Sequence, residues 1–558
     1  MRAKTLPAPN VSGCRDSIKS LCSSSLPLSQ PKPMDFPISN LDLVIIAGYF
    51  LVVFGIGYYI SKRIDTGEDL FLAGRSLMWG TIGLSLFASN ISSTTLIGLA
   101  GDAYSTGIAV SNYEWMAGVV LVFMAFFFIP FFIKSRLTTI PEYLEKRFDV
   151  RSRKYFSGLT IITSILIDAA GGIYAGTLVL QMFFPELPFL WTAFGLALVA
   201  GLYTAAGGLA AVVYTDVIQA VILFVGSCAI AFLTFQQFDF SWAAATAALP
   251  EGHLSKIHPI DNPEGRLPWL GTLIGVPVLG FYYWGLNQYI VQRVLGAKDL
   301  KNARWGALLG GLLKLAPLFI MVLPGAWALT LYPGLDQPDL VFPTLVTELL
   351  PVGFVGLVLA GLVAAIMSTI DSTLNAASTL ITVDFVQPNK PDMTAEQIGT
   401  LGKWVTLVLM IVAALWAPAI REFPGLWSYI QSMLSFLVPP VVAVFLLAVF
   451  WPRMGRHSAF ITLVGGHVLS FGIFLLWITD ILGLHFTIIA GILTALCLVL
   501  AVGAALAFDE VPAEAKVAGL TWRNRTIEPA EDLPWFKDYR YQSVVVLSLT
   551  VVLLILFW

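Results

Sequence analysis

Apolar stretches long enough to cross a bilayer recur along almost all of this 558-residue chain, and they leave few folds open to it. They lie at about 42–60, 78–105, 110–133, 157–183, 188–206, 209–235, 269–292, 305–332, 352–383, 402–419, 427–450, 459–478, 483–507 and 542–558. About 20 apolar residues span the hydrocarbon core as a helix. Inside lipid, only helices and closed barrels satisfy their own backbone groups. Charged residues make up 12% of the chain, against roughly 25% in soluble domains. The expected fold class is an all-α polytopic membrane protein with about 14 transmembrane helices.

Lys and Arg set the orientation. The loops at 61–77, 134–156, 293–304, 386–403, 451–456 and 508–541 hold 23 of them, whereas the opposite loops hold Lys256, Arg266 and Arg421. The positive-inside rule makes the first set cytoplasmic and puts both termini outside. Residues 1–40 are Ser/Pro-rich without the apolar core of a signal peptide and read as a disordered tail, with Met34 a possible start. Cys14 and Cys22 fall in that tail and Cys228 and Cys497 in apolar spans, so no disulfide framework is expected.

Two spans carry interruptions. In the second, the small and polar residues Ala88 to Thr95 sit at the centre of the apolar run. The seventh is broken near Pro277 and Gly280, with Tyr282, Tyr283 and Trp284 just after. Five spans separate the starts of these two, so the second half enters the membrane upside down relative to the first. Paired interrupted helices in matching positions point to a transporter binding site, since unwound backbone offers carbonyls to a cation and half-helix N-termini to polar solute atoms. A kinked helix is the plain alternative.

The stretch Pro351 to Phe385 carries polar groups at mid-span. Ser368, Asp371, Ser372 and Asn375 follow i, i+3, i+4, i+7 spacing, and Ala365, Ser368, Thr369 and Ser372 form an overlapping stripe. A carboxylate at that depth costs about 2.5–3.5 kcal/mol on insertion scales and should face a partner or a watery cavity. The oxygen-rich stripe reads as a seat for a hard cation, and interhelical hydrogen bonding by the hydroxyls is the alternative. Further intramembrane charges are Glu114, Asp168, Asp216 and Lys314. An aromatic face beside carboxylate, lysine and amide groups suits a sugar ring, and an interfacial aromatic belt is the other reading.

FASNIS (87–92), YEWM (113–116), GGLAAVVYTDVIQ (207–219), YYWGLNQYIVQR (282–293), LLKL (312–315), the 365–384 stripe, YIQ (429–431) and PPVVAVFLLAVFW (439–451) together resemble the sodium/solute symporter family, and within it the sodium/sugar cotransporter branch. The resemblance runs from about residue 42 to 558. It implies a LeuT-like core of two inverted five-helix repeats, at 78–235 and 269–450. One transmembrane helix at 42–60 precedes the core, and three within 459–558 follow, with a cytoplasmic loop at 508–541.

By resemblance, a sodium ion is held by the carbonyls of Ala88, Ile91 and Ala365 and the hydroxyls of Ser368 and Thr369. A possible second sodium site uses Ser368 again, with Asp216, Asp371 and Ser372. Asp371 departs from the Ser, Thr or Ala usual in the family, which admits a proton there as well. Substrate-binding positions carried over or read beside them are Thr95, Glu114, Asp168, Tyr283, Trp284, Lys314 and Gln431. Thr95 stands where sugar cotransporters place His or Gln, and Gly280 where one has Asn.

The expected function is sodium-coupled import of a sugar or polyol across the plasma membrane by alternating access, with sodium as coupling ion and no further cofactor. The alternatives are a sodium symporter for inositol, sialic acid or another organic acid, and a non-transporting sugar sensor. The chain shows no nucleophile–base pair or nucleotide loop, so neither an enzyme nor a primary pump is expected. The compact loops point to a bacterial inner membrane.

Overall fold

The computed structural model describes residues 39–61, 72–247, 249–261, 265–335, 337–510, 517–523 and 534–557. The expected N-terminal tail with Met34, and much of the 508–541 loop, lie outside the described residues. Among the described residues there are helices and no named strand.

The spans open with α1 (Asn40–Ser61), followed by a helix broken into α2 (Trp79–Asn90) and α3 (Ser93–Thr106). Next come α4 (Ser111–Phe127), α5 (Val150–Thr163), α6 (Ala170–Phe183) and α7 (Phe189–Gln236). The second broken span is α8 (Trp269–Gly285) with α9 (Gln288–Leu295), followed by α10 (Leu300–Leu313) and α11 (Leu323–Leu331). Then follow α12 (Phe354–Leu380), α13 (Ala395–Trp416), α14 (Leu426–Leu437), α15 (Pro439–Phe450), α16 (Arg456–Ile478), α17 (Phe486–Phe508) and α18 (Tyr539–Leu556). Eight described helices are long and apolar enough to span a bilayer, and eleven when each bent pair counts as one.

Two features differ from the expected spans. Where spans at 188–206 and 209–235 were expected, the backbone runs as the single 48-residue helix α7. The GLYTAAGG segment between them has glycines but no proline, so nothing there removes a backbone donor and the helical bonding continues. The second difference is a third bent pair, α14 with α15, at 54°. Pro439 and Pro440 stop the helix because neither ring nitrogen can donate.

Burial divides the molecule into centre and rim. The most apolar windows of α12 and of the span containing α4 are 78% buried, against 28% for α13 and α16 and 17% for α18. Trp404, Val408, Val468, Phe471, Val551 and Leu556 on those rim helices are exposed, as lipid-facing residues are. The centre closes tightly. A Cβ on Gly83 would come within 2.7 Å of Leu309, and one on Gly306 within 2.6 Å of Ile82. Small residues thus let α2 and α10 touch, the usual packing device between membrane helices.

Candidate functional site

Both interrupted spans are bent by 54°. In the first, α2 ends at Asn90; Ile91 and Ser92 lie off the helix, with Ser92 extended at φ −83° and ψ 170°. The Phe87 carbonyl still accepts from Ile91 N at 2.7 Å, and a helix that stops there interrupts the regular i+4 ladder beyond it, at Ala88. In the second, α8 stops at Gly285 and Asn287 starts α9 with φ −70° and ψ 118°. The helix is interrupted at Gly275, just before Pro277, which takes the first turn of Val276–Gly285, where no donor is lost, but the 54° bend falls later, after the aromatic cluster.

These breaks border one cavity, with about 70 Å³ open to the centres of water molecules, room for several waters. Thr95, Glu114, Asp168, Tyr283, Trp284 and Gln431 line it, together with Asn90, Tyr113, Tyr289, Thr369 and Trp427. Lys314, the remaining expected solute residue, stands behind the wall. It is fully buried, and its ammonium donates to Glu114 Oε2 and to Asn90 Oδ1, both on cavity-lining residues. Its Nζ also lies 5.5 Å from the centre of the Trp284 ring, within cation–π range. The Glu114 carboxylate therefore reaches the cavity already neutralised, with its remaining acceptor capacity available to hydroxyls.

Asp168 is placed by an irregularity. Ser164–Ala169 forms a π-helical turn between α5 and α6, and such turns frequently mark functional positions. Asn287 Nδ2 donates to Asp168 Oδ2 at 3.4 Å, tying the second break to that turn. Tyr429 OH donates to Leu166 O at 2.7 Å and accepts from Trp416 Nε1 at 2.8 Å, which fixes α14, and with it Gln431, against the same turn. The aromatic walls are tied too. Tyr283 and Tyr289 share a hydroxyl hydrogen bond of 2.7 Å, and Tyr113 meets Trp427 edge-on at 5.5 Å between ring centres.

Of the expected sodium residues, Ala88 lies on α2, Ile91 just after it, and Ala365, Ser368 and Thr369 on α12, a helix that packs on α2 and α3. Ile91 and Ala365 belong to one buried apolar cluster, and Ala88, Ser368 and Thr369 are each under 9% exposed. Thr369 Oγ1 donates to Ala365 O at 2.9 Å, so two of the five expected groups already meet. Thr369, alone among the five expected sodium residues, also lines the cavity, where it was not expected. Of the expected second seat, Asp371 and Ser372 are buried on α12, while the side chain of Asp216 lies outside the described residues.

The sequence reading missed Asn90, Asn287, Tyr289 and Trp427. A signal existed for Trp427, which precedes Gln431 by four residues and so shares its helix face. Asn287 carries the signature of a residue that starts a helix.

A family model for the sodium:solute symporter family matches residues 70–466. The chain belongs to that family. This places it among transporters rather than enzymes. Among curated relatives, a symporter from Danio rerio, sodium/glucose cotransporter 4, is 36% identical over 483 residues, covering 80% of this chain and 73% of the relative. Human sodium/myo-inositol cotransporter 2 is 35% identical over 488 residues, covering 79% and 71%. A solved structure of a Na⁺-coupled sialic acid symporter, substrate-bound and outward-open, superposes with TM-score 0.73 at 24% identity, over 85% of this chain and all of that one. That likeness assigns this symporter the same fold.

Proposed function

We propose that this symporter uses a sodium gradient to import a neutral sugar or cyclic polyol across the plasma membrane by alternating access. The observation that carries the reading is the cavity itself. A carboxylate neutralised by a buried lysine, a second carboxylate, an amide and a hydroxyl face it, from Glu114, Asp168, Gln431 and Thr95, beside the rings of Tyr283 and Trp284. Ring hydroxyls find acceptors and donors there, and the C–H face of a sugar finds an aromatic wall. The named relatives include a glucose and an inositol cotransporter at nearly equal identity, in keeping with a ring of hydroxyls as the shared determinant.

An organic acid fits less well. Lys314 is engaged by Glu114 and Asn90, so its charge is not presented to a solute carboxylate, and Asp168 would repel one. The relatives named are vertebrate proteins and lend the bacterial inner membrane no support.

In this reading, sodium settles between the last turn of α2 and the hydroxyls of Ser368 and Thr369, and so fastens α2 and α3 to α12. Thr369 carries the effect to the cavity wall. Ion and solute then favour the same state, and the coupling is reciprocal. The LeuT-like core of two inverted repeats at 78–235 and 269–450, flanked by one helix before and three after, is part of the same proposal. At ~100 mV one charge supplies ~2.3 kcal/mol, and a tenfold sodium gradient adds ~1.4 kcal/mol. One ion thus supports roughly 500-fold accumulation at tight coupling.

The test is uptake of labelled glucose, galactose, myo-inositol and sialic acid into proteoliposomes, with and without a sodium gradient. Sodium-stimulated uptake of a neutral ring solute is expected. Sodium-driven uptake of sialic acid alone would overturn the substrate class, and uptake indifferent to sodium would overturn the coupling.

A further inference from the structure

The charges around the solute cavity do not balance. Glu114 and Asp168 bring two carboxylates to its wall, and among the described residues no Lys, Arg or His lines it. Lys314 answers one of the two from behind the wall, where its ammonium donates to Glu114 and Asn90. Arg293, buried in α9, donates to Ser85, Ser372 and the Tyr289 carbonyl. Asp168 is left with Asn287, whose Nδ2 donates to its Oδ2 at 3.4 Å, and with no ion-pair partner among the described residues. The cavity wall thus carries one uncompensated negative charge.

An ionisable group at membrane depth normally comes with a partner. Here the wall supplies none, so the partner has to arrive through the cavity. A sodium ion, a proton and an ammonium group on the solute itself all carry the required charge, and the surroundings decide among them. Sodium needs several oxygens, whereas the group fixed on this carboxylate is an amide donor, which turns its positive end towards a cation. The other neighbours are rings. Tyr283 and Tyr289 stand within electrostatic reach of Asp168, and both line the cavity with Trp427. Aromatic faces attract an ammonium through cation–π contact, so a carboxylate among rings suits an organic ammonium better than a bare metal ion. A proton would only cancel the charge and would not use the rings.

We propose that the solute brings the missing cation. The cavity takes a ring solute with a protonated amine, an amino sugar or aminocyclitol, ahead of its neutral parent, and Asp168 is the residue that makes the distinction. The hydroxyls of the ring use Glu114, Gln431 and Thr95 as before, and the ammonium donates to the Asp168 carboxylate. The proposal rests on the sodium-coupled, ring-solute reading above and extends it to a charged solute class.

The test is sodium-driven uptake and current in proteoliposomes of the full chain, comparing glucose with glucosamine and its positional isomers, and myo-inositol with an aminocyclitol. For at least one amine the half-saturation should lie about tenfold below that of its neutral parent, the margin between a charge-assisted hydrogen bond and a neutral one. The charge moved per molecule should exceed that of the parent by one elementary charge, because the amine enters as a cation. Asp168→Asn keeps the size and removes the charge, and it should make the two half-saturations equal, whatever it does to the overall rate.

Equal half-saturations in the wild type would overturn the proposal, and that is the result a proton on Asp168 would give. An amine that moves no extra charge would also overturn it, as would a preference that survives in Asp168→Asn. If that variant does not transport, the charge moved per amine in the wild type still decides. Each of these failures leaves the sodium-coupled reading standing as long as a neutral ring solute follows the sodium gradient. Absence of sodium-driven uptake for every ring solute, neutral or aminated, sinks both together.

Discussion

The two broken spans bend by the same 54° yet are built from different materials. The first is small and hydroxylic, Ala88 to Thr95, and a charge from outside braces it, Lys314 donating to Asn90. The second is fastened by its own side chains. Asn287 reaches Asp168, Tyr283 meets Tyr289, and Arg293 reaches Ser85 and Ser372. The first break therefore presents short hydroxyls beside an interrupted backbone, Ser92 and Thr94 sharing a hydrogen bond of 2.5 Å, and such an oxygen-rich surface suits a cation. The second presents rings and polar groups, which suit a solute with a face and hydroxyls. Equal geometry serves unequal chemistry, and substitutions at the two breaks should separate accordingly.

The largest effect is expected where a buried charge braces the first break. Glu114→Gln leaves Lys314 without its carboxylate, and breaking a buried pair from one side costs about 3–5 kcal/mol. Uptake per molecule at the membrane should fall at least 100-fold, with a lower melting temperature in detergent. Near-normal uptake would mean that the pair braces nothing. Next comes the ion seat. Ser368→Ala removes a hydroxyl expected to face sodium, and hydrogen-bond-like contacts to a charge are worth about 1.5–3 kcal/mol. The sodium half-saturation should rise about 10- to 100-fold, while solute KM at saturating sodium moves little. A parallel rise in both would erase the distinction between the breaks.

How much of this was legible in the sequence depended on the range of the cause. Glu114, Asp168 and Lys314 stood out because charges inside apolar runs are costly; the fold brings Glu114 and Asp168 to one cavity wall and sets Lys314 behind it, paired with Glu114. Thr369 and Ala365 stood out because helical spacing alone sets their meeting. The contact of Arg293 with Ser372 joins residues 79 apart, and no local pattern announces it. Instead, Arg293 reads as one more cytoplasmic loop charge. The unbroken α7 was equally hidden, since a glycine-rich segment reads as a loop although, without proline, its backbone can stay helical. The bend before Pro439 and Pro440 was missed, the run at 427–450 being read as one span, although the two adjacent prolines were its signal.

A smaller effect should sharpen the solute side. Asn287→Ala removes the donor that orients Asp168 at 3.4 Å. A single hydrogen bond is worth about 1 kcal/mol net, so solute KM should rise about fivefold. Sodium half-saturation should hold within a factor of two, the reverse of the Ser368→Ala pattern. Equal movement of both constants would show that the second break also serves the ion.

The smallest effect provides the baseline against which both breaks are read. Asp509, just beyond α17, accepts backbone hydrogen bonds from Gly455, His457 and Ser458 at 3.0–3.1 Å, and so caps α16 at the rim. Burial works to raise its pKa, but the Ser458 hydroxyl and these three amides outweigh that and hold it below the ordinary 3.8. The folded state thus favours the ionised carboxylate. Its contribution is complete at neutral pH, stays complete down to about the ordinary value, and is lost as pH falls through the lowered one. Asp509→Asn should cost about 1–2 kcal/mol at pH 7, in the range of a lost helix cap. In detergent its melting temperature should lie a few degrees below the wild type at pH 7, with the two curves converging in acid below the lowered pKa. Because α16 packs chiefly on α17 and α15 at the rim, ion:solute ratio, solute KM and sodium half-saturation should stay where they are. A shift in any of them would mean that the rim helices take part in transport, and that the contrast between the breaks is only part of the mechanism.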